Sequence, residues 1–242
     1  MRAEANDTSE MTNQILFGEH FKVLEKRKKW SKIRLAHDKY EGWICNKQWE
    51  DIDKKTYSNL DKDTPFLTTD LLDVVKGQQL HPIVMGSTLP FFSDGKLQVA
   101  KTTYELDGLT TQGNEEKLDL VNNAMMYLNA PYLWGGRSPL GIDCSGFTQM
   151  VYRLQGVALP RDAYQQAEVG TTLSFIEESE PGDLAFFDNA EGKITHVGIL
   201  LTDNYIIHAS GKVRIDRLDQ QGVFNAEERT HTHKLRLIKS II

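Results

Sequence analysis

The chain has 242 residues, 40% of them hydrophobic and 26% charged, the composition of an ordinary globular protein long enough for one large domain or two to three small ones. Its net charge of −6 excludes a general nucleic-acid binder, which needs a basic footprint. No apolar run approaches the ~18 residues of a membrane span, and the opening MRAEANDTSEM lacks the apolar core of a signal peptide. As written, the chain reads as cytoplasmic. Its two cysteines, Cys45 and Cys144, make no disulfide framework and read as reduced.

Residues 12 to 52 read as short strands with tight turns: Ile15-Leu16-Phe17 ending at Gly18, then Phe21 to Leu24, then Trp30 to Leu35, whose apolar and polar residues alternate as in a half-buried strand, then Tyr40 to Ile44. The run Lys26 to Lys29 suits a solvated hairpin loop, and the whole suggests a small barrel. Residues 53 to 64 are polar and charged, as in a linker. Residues 65 to 112 again suggest short strands, with Asp94-Gly95 as a hairpin signal, and read as a second small barrel.

From Asn114 the period changes. Leu118, Val121, Met125 and Leu128 mark an amphipathic helix, with Asn114 as N-cap and Glu115 and Glu116 in its first turn. The stretch Ala130 to Phe147, APYLWGGRSPLGIDCSGF, then runs through a glycine-rich loop into a second helical period, Phe147, Met150, Val151 and Leu154, which ends near Gly156. Further segments follow at 159 to 166, 181 to 188, 194 to 201 and 205 to 210, with a last strand, HKLRLIKSI. Helices first and strands second read as α+β with an antiparallel sheet.

The chemistry concentrates on Cys144. It stands at a helix start, where unpaired N–H groups and the macrodipole favour a thiolate, so its pKa is expected below the free value. A buried cysteine is otherwise often just a small hydrophobe, but Asp143 and Ser145 beside it are unusual company for a core residue. His196 opens the strand-like run HVGILL, and after the turn Thr202-Asp203-Asn204 the run YIIH brings back His208. In a hairpin of this length the two histidines come close to opposite each other. One imidazole can take the thiol proton while the second orients the first. A Cys-His-His zinc site is the other chemical reading, but no CxxC or HxxxH spacing accompanies it.

PYLWGG, GIDCSGF, LPRDAYQQ, PGDLAFF, HVGIL and IIHAS together resemble the NlpC-type peptidases, circularly permuted relatives of papain, over residues 114 to 242. SEMTNQILFGE, VLEKRKKWSKIRL and YEGWI resemble a bacterial SH3-like domain of the kind attached to cell-wall enzymes. That family has one more strand ahead of the residues matching MRAEANDTSE, which puts the expected start upstream of Met1 and would allow a cell-envelope location. The resemblance implies a papain-like α+β domain at 113–242, preceded by an SH3-like domain at 1–52 and a second SH3-like β domain at 65–112. It implies Cys144 as nucleophile, His196 as general base, His208 as the orienting third member and Tyr132 as a hydroxyl near the nucleophile.

The combination of domains further resembles the γ-D-glutamyl-L-diamino acid endopeptidases. These cut murein stem peptides between γ-D-Glu and the diamino acid and require a free N-terminal L-Ala. Asp143, Ser145 and Asp162 match family positions that bind that ammonium, and Glu10 and Tyr40 complete the set from the SH3-like domain. For Asp162 the plain alternative is a partner for Arg161, and for Glu10 a solvated loop charge. The implied partner is a murein peptide met by a monomer, with no cofactor and no metal. An amidase or acyltransferase on the same scaffold, or a wall-binding module with an inert cysteine, are the readings from other classes.

Overall fold

The computed structural model describes residues 1 to 114 and 116 to 242. Glu115, expected in a helix's first turn, lies outside the described residues. The chain divides into two compact units: residues 1–113 with 134–138, and residues 114–133 with 139–242.

In the first unit, β1 (Phe21–Lys26), β2 (Trp30–Leu35) and β3 (Glu41–Cys45) form an antiparallel meander. The alternation in β2 buries Ser31, Ile33 and Leu35. Ile33, Leu35 and Ile44 make the core, with Ile15, Phe21, Tyr40 and Trp49 packed around it. Ile15-Leu16-Phe17 forms no strand. Ile15 instead supplies apolar surface from irregular backbone. The expected linker holds a short helix, α1 (Lys54–Leu60), because Asp53 caps it, accepting from the Thr56 N–H at 2.9 Å.

Seven strands follow: β4 (Phe66–Thr68), β5 (Leu72–Lys76), β6 (Leu80–Val84), β7 (Thr88–Leu89), β8 (Lys96–Val99), β9 (Thr102–Glu105) and β10 (Thr110–Thr111). They form two sheets, ordered β10-β4-β7 and β6-β5-β9-β8. Their core is Val75, Ile83, Leu89, Leu97 and Leu106. Asp94 and Gly95 both take positive φ, 51° and 74°, as the two-residue hairpin turn before β8 requires. The unit is completed by β11 (Arg137–Ser138). The buried Arg137 guanidinium donates to both Glu19 oxygens at 3.0 Å and to the Gln14 carbonyl at 2.9 Å.

In the second unit, α2 (Lys117–Met126) starts after Glu116, which takes the N-cap position expected of Asn114. Asn114 contributes from one turn outside, its Oδ1 accepting from the Glu116 N–H at 3.1 Å. The buried face also differs from the expected one. Leu120, Ala124 and Tyr127 are buried, while Leu118 is 73% exposed. The face is set by what meets α3 (Cys144–Leu154): Tyr127 meets the ring of Phe147 edge-on at 5.7 Å, and small Ala124 allows close approach. Phe147, Met150, Val151 and Leu154 are all fully buried, as their spacing predicts.

β12 (Gly141–Ile142) leads into α3, and α4 (Ala163–Gln166) follows it. The strands are β13 (Thr171–Leu173), β14 (Leu184–Asp188), β15 (Ile194–Leu200), β16 (Tyr205–Ser210), β17 (Lys212–Leu218), β18 (Gly222–Asn225) and β19 (Thr230–Ser240). They run β13-β19-β14-β15-β16-β17-β18, with β18 also paired to β19. The expected antiparallel sheet therefore closes on itself as a six-stranded barrel, β14 to β19. Ala185, Phe187, Leu200, Ile206, Leu218, Val223 and Ile238 form one cluster in its core. Side chains alternate faces along a strand, so His196 shares a face with Leu200, His208 with Ile206, and Asp216 with Leu218.

Candidate active site

Asp143 is the N-cap of α3. Its side chain accepts from the Gly146 N–H at 2.7 Å, which starts the helix one residue before the thiol. The buried Arg161 grips the same carboxylate on both oxygens, at 2.9 and 2.6 Å, and donates to the Ser145 hydroxyl at 2.9 Å. The Gln166 amide, from α4, donates to the Ser145 carbonyl at 3.0 Å and accepts from the Thr148 hydroxyl at 2.6 Å. Charge-assisted bonds of this kind are strong, and together they fix the first turn of α3.

The Cys144 thiol is buried, and its pKa is pushed up to about 12, not down. Burial is the main cause, followed by the negative charge of Asp143. Hydrogen bonds from the Val197 and Ser145 N–H groups and the charge of Arg161 pull the other way and lose. The expected thiolate is thus overruled by desolvation. The thiol lies 4.0 Å from the Thr195 carbonyl, beside the stretch of β15 that carries His196.

His196 is buried and held well below the ordinary histidine range, first by burial, then by the neighbouring His208 and His233 rings, so it is neutral at neutral pH. Its Nε2 meets His208 Nδ1 at 2.7 Å. The register differs from a direct pairing: Gly198 stands opposite His208, and His196 is its diagonal neighbour. The missing side chain at 198 makes room for this diagonal, since a Cβ there would lie 2.8 Å from the His208 Cβ and 2.7 Å from Ile206 Cδ1.

Three residues received no role from the sequence. Asp216 Oδ2 meets His208 Nε2 at 3.0 Å, and Arg214 binds both oxygens of the same carboxylate. Burial works to raise the Asp216 pKa, but the bonds from His208 and Arg214 outweigh it and hold the carboxyl below its usual range. Counting the β16–β17 hairpin through Gly211 would have exposed this: Arg214 pairs with His208, so Asp216 is the diagonal neighbour. Gly198 is the second, legible from the same register. His233, the third, stacks on His196 at 4.1 Å, and burial takes its pKa down to about 4.

His196, His208 and His233 are the one His/Cys/Asp/Glu group among the described residues close enough to suggest a metal. The geometry does not suit one. His196 and His233 lie face to face at 26°, and two stacked rings do not aim in-plane lone pairs at one ion.

Tyr132 is half-buried and bridged to Ile142. Burial, then the charges at Cys144 and Asp143, raise its pKa, so its hydroxyl keeps its proton and can donate. Asp162 is the N-cap of α4, in a capping box with Gln165. In the first unit, Glu10 accepts from the Trp134 indole N–H at 2.7 Å, and Tyr40 packs on the β1–β3 core.

A neutral thiol at a helix start, a neutral imidazole and an ordered relay behind it define a site for acyl transfer through a thioester. Residues 129–231 match the NlpC/P60 family and residues 1–48 match the bacterial dipeptidyl-peptidase SH3 domain. Residues 129–231 are thus an NlpC/P60 cysteine peptidase domain of papain-like fold, and residues 1–48 an SH3-type domain. The chain is 26% identical over 232 residues to the gamma-D-glutamyl-L-lysine dipeptidyl-peptidase of Bacillus cereus, covering 84% of this chain and 68% of that protein. It is 28% identical over 253 residues to dipeptidyl-peptidase 6 of Lysinibacillus sphaericus, covering 90% and 88%. The crystal structure of an NlpC/P60 family protein from Bacillus cereus shares the fold, with a TM-score of 0.79 and 23% identity over 95% of this chain and 82% of that one.

Proposed function

We propose that the protein hydrolyses the bond between γ-D-glutamate and the diamino acid of murein peptides that begin with a free L-alanine. The observation that carries the chemistry is the buried 2.7 Å bond between His196 and His208 alongside the Cys144 thiol. The substrate class is supported by likeness to the two dipeptidyl-peptidases over both the SH3-type and the peptidase parts of the chain.

Neither Cys144 nor His196 is charged at rest, so the proton moves during attack. Sγ bonds to the amide carbon as His196 takes its proton, and the charge develops on the carbonyl oxygen. The Tyr132 hydroxyl and N–H groups at the start of α3 are the donors suited to that oxyanion. His196 then protonates the leaving amine of the diamino acid, and the thioester remains. Water, giving a proton to His196, attacks the thioester; the C–S bond breaks, His196 returns the proton to Sγ, and L-Ala-γ-D-Glu is released.

In this reading the substrate's ammonium is held by Asp143, Ser145 and Asp162. The Asp143 charge is partly neutralised by Arg161, so more of the recognition falls on Asp162. A carboxylate built for an ammonium is left unpaired by an acylated alanine, which supports discrimination of about 10²-fold or more. Rates are compared on free and N-acetylated tripeptides, with lysine or diaminopimelate third, for wild type and Asp162→Asn. The free peptides are expected to be cut faster by that factor, with the gap narrowed in the variant. Equal rates for wild type would sink the free-terminus reading.

A further inference from the structure

The hydrogen bonds behind His196 determine where every proton in the relay sits. Asp216 Oδ2 accepts from Arg214 Nε at 2.7 Å and Oδ1 from Arg214 Nη2 at 2.9 Å, so the carboxylate is ionised and can only accept. His208 Nε2, 3.0 Å from Oδ2, must therefore carry its proton. With His208 neutral, its single N–H is the one donated to Asp216, and Nδ1 is a bare lone pair. His196 Nε2, 2.7 Å away, must then be the donor of that bond. By the same count His196 Nδ1 is bare. It is the one nitrogen of the pair left able to take a proton.

We propose that Asp216, held by Arg214, is a positioning residue that sets the tautomers of His208 and His196 and so keeps His196 Nδ1 free to act as the base. The proposal rests on the peptidase reading for its effect on rate, but the proton placement itself does not. Asp216 touches neither the thiol nor, in this reading, the substrate. It acts through two rings. The charged and titratable groups around it are Arg214 and His208 in direct contact, Glu227 through Arg214, and His233, which meets the His208 ring edge-on at 5.5 Å. Once His196 becomes an imidazolium, the same carboxylate lies at the far end of the relay and stabilises the positive charge.

The informative change is Asp216→Leu, which removes the acceptor at His208 Nε2. A proton on that nitrogen is then buried without an acceptor, whereas one on Nδ1 can donate to His196 Nε2, 2.7 Å away. His208 then carries its proton on Nδ1, and His196 must accept on Nε2 and carry its proton on Nδ1. The base is lost with the fold intact. A wrong tautomer in a comparable relay costs about 10⁴-fold in kcat, so a loss of 10³- to 10⁴-fold in kcat with little change in KM is expected.

The test combines those kinetics with long-range proton–nitrogen NMR of histidine-labelled protein. Wild type is expected to show both rings protonated on Nε2, and Asp216→Leu both on Nδ1. A wild-type His208 protonated on Nδ1 would overturn the proposal, and so would a folded Leu variant with wild-type kcat. A variant that loses thermal stability and rate together while keeping wild-type tautomers would make Asp216 merely structural, which also overturns it. If the Leu variant does not fold, the wild-type spectrum alone decides. Turnover retained by Cys144→Ala would defeat the peptidase mechanism but leave the tautomers unchanged, so the two failures are distinguishable.

Discussion

At the scale of single residues, Cys144 shows how position and environment compete. The helix start and Arg161 draw its thiol toward the thiolate, while burial and Asp143 drive it up to about 12. The free enzyme should then hold its cysteine as the neutral thiol at pH 7. In a Cys45→Ser background, alkylation by iodoacetamide is expected to be slow at pH 7 and to rise about tenfold per pH unit to at least pH 9, because only the thiolate reacts. A rate already on a plateau at pH 7 would contradict the neutral pair. Cys144, His196 and His208 were legible from their motifs, and the helix start from Asp143 and the apolar spacing behind it. The direction of the thiol's pKa was not. A helix position can be read from spacing, but the depth of burial depends on strands from elsewhere in the chain. Asp216 escaped for a related reason: an acid in the alternating run VRIDRL reads as a solvated face until the strand register shows which side it takes.

At the scale of elements, the β15–β16 hairpin does the positioning. Its turn at Thr202-Asp203-Asn204 was expected, and Asp203 and Asn204 take positive φ there, 57° and 58°. The register was misjudged by one pair of positions. Facing His208 is Gly198, not His196. A slip of two keeps both histidines on one face, so the two rings still meet, diagonally instead of directly opposite. Gly198→Ala tests the diagonal. Its Cβ would stand 2.8 Å from the His208 Cβ, and backbone or ring must shift. A stability loss of ~1–3 kcal/mol is expected from such overpacking, with a fall in kcat larger than the change in KM, measured by thermal melts and steady-state kinetics. Unchanged kcat would mean the relay tolerates the displacement. In α2, likewise, spacing identified a helix but chose the wrong face. Leu118 and Met125 are exposed where Leu120 and Ala124 are buried. Small Ala124 contributes little to a hydrophobic pattern, yet it is fully buried.

At the scale of the whole molecule, the change of period at Asn114 falls where the second compact unit begins. The barrel's closure was beyond the sequence, because it depends on β18 pairing with both β17 and β19, contacts no local pattern announces. In the first unit the segment 134–138, only a few residues ahead of Cys144, packs with the SH3-type residues through Arg137 and Trp134. No helix among the described residues is long and apolar enough to cross a membrane. In the proposed reaction one thiol, served by His196, cuts one bond of a short murein peptide. Mass spectrometry of L-Ala-γ-D-Glu-L-Lys and its diaminopimelate counterpart, after incubation with wild type and with folded Cys144→Ala, decides it. Wild type should release L-Ala-γ-D-Glu and the free diamino acid, and the variant should release neither above background. The dipeptide appearing at a comparable rate with Cys144→Ala, or wild type leaving both peptides intact, would contradict it.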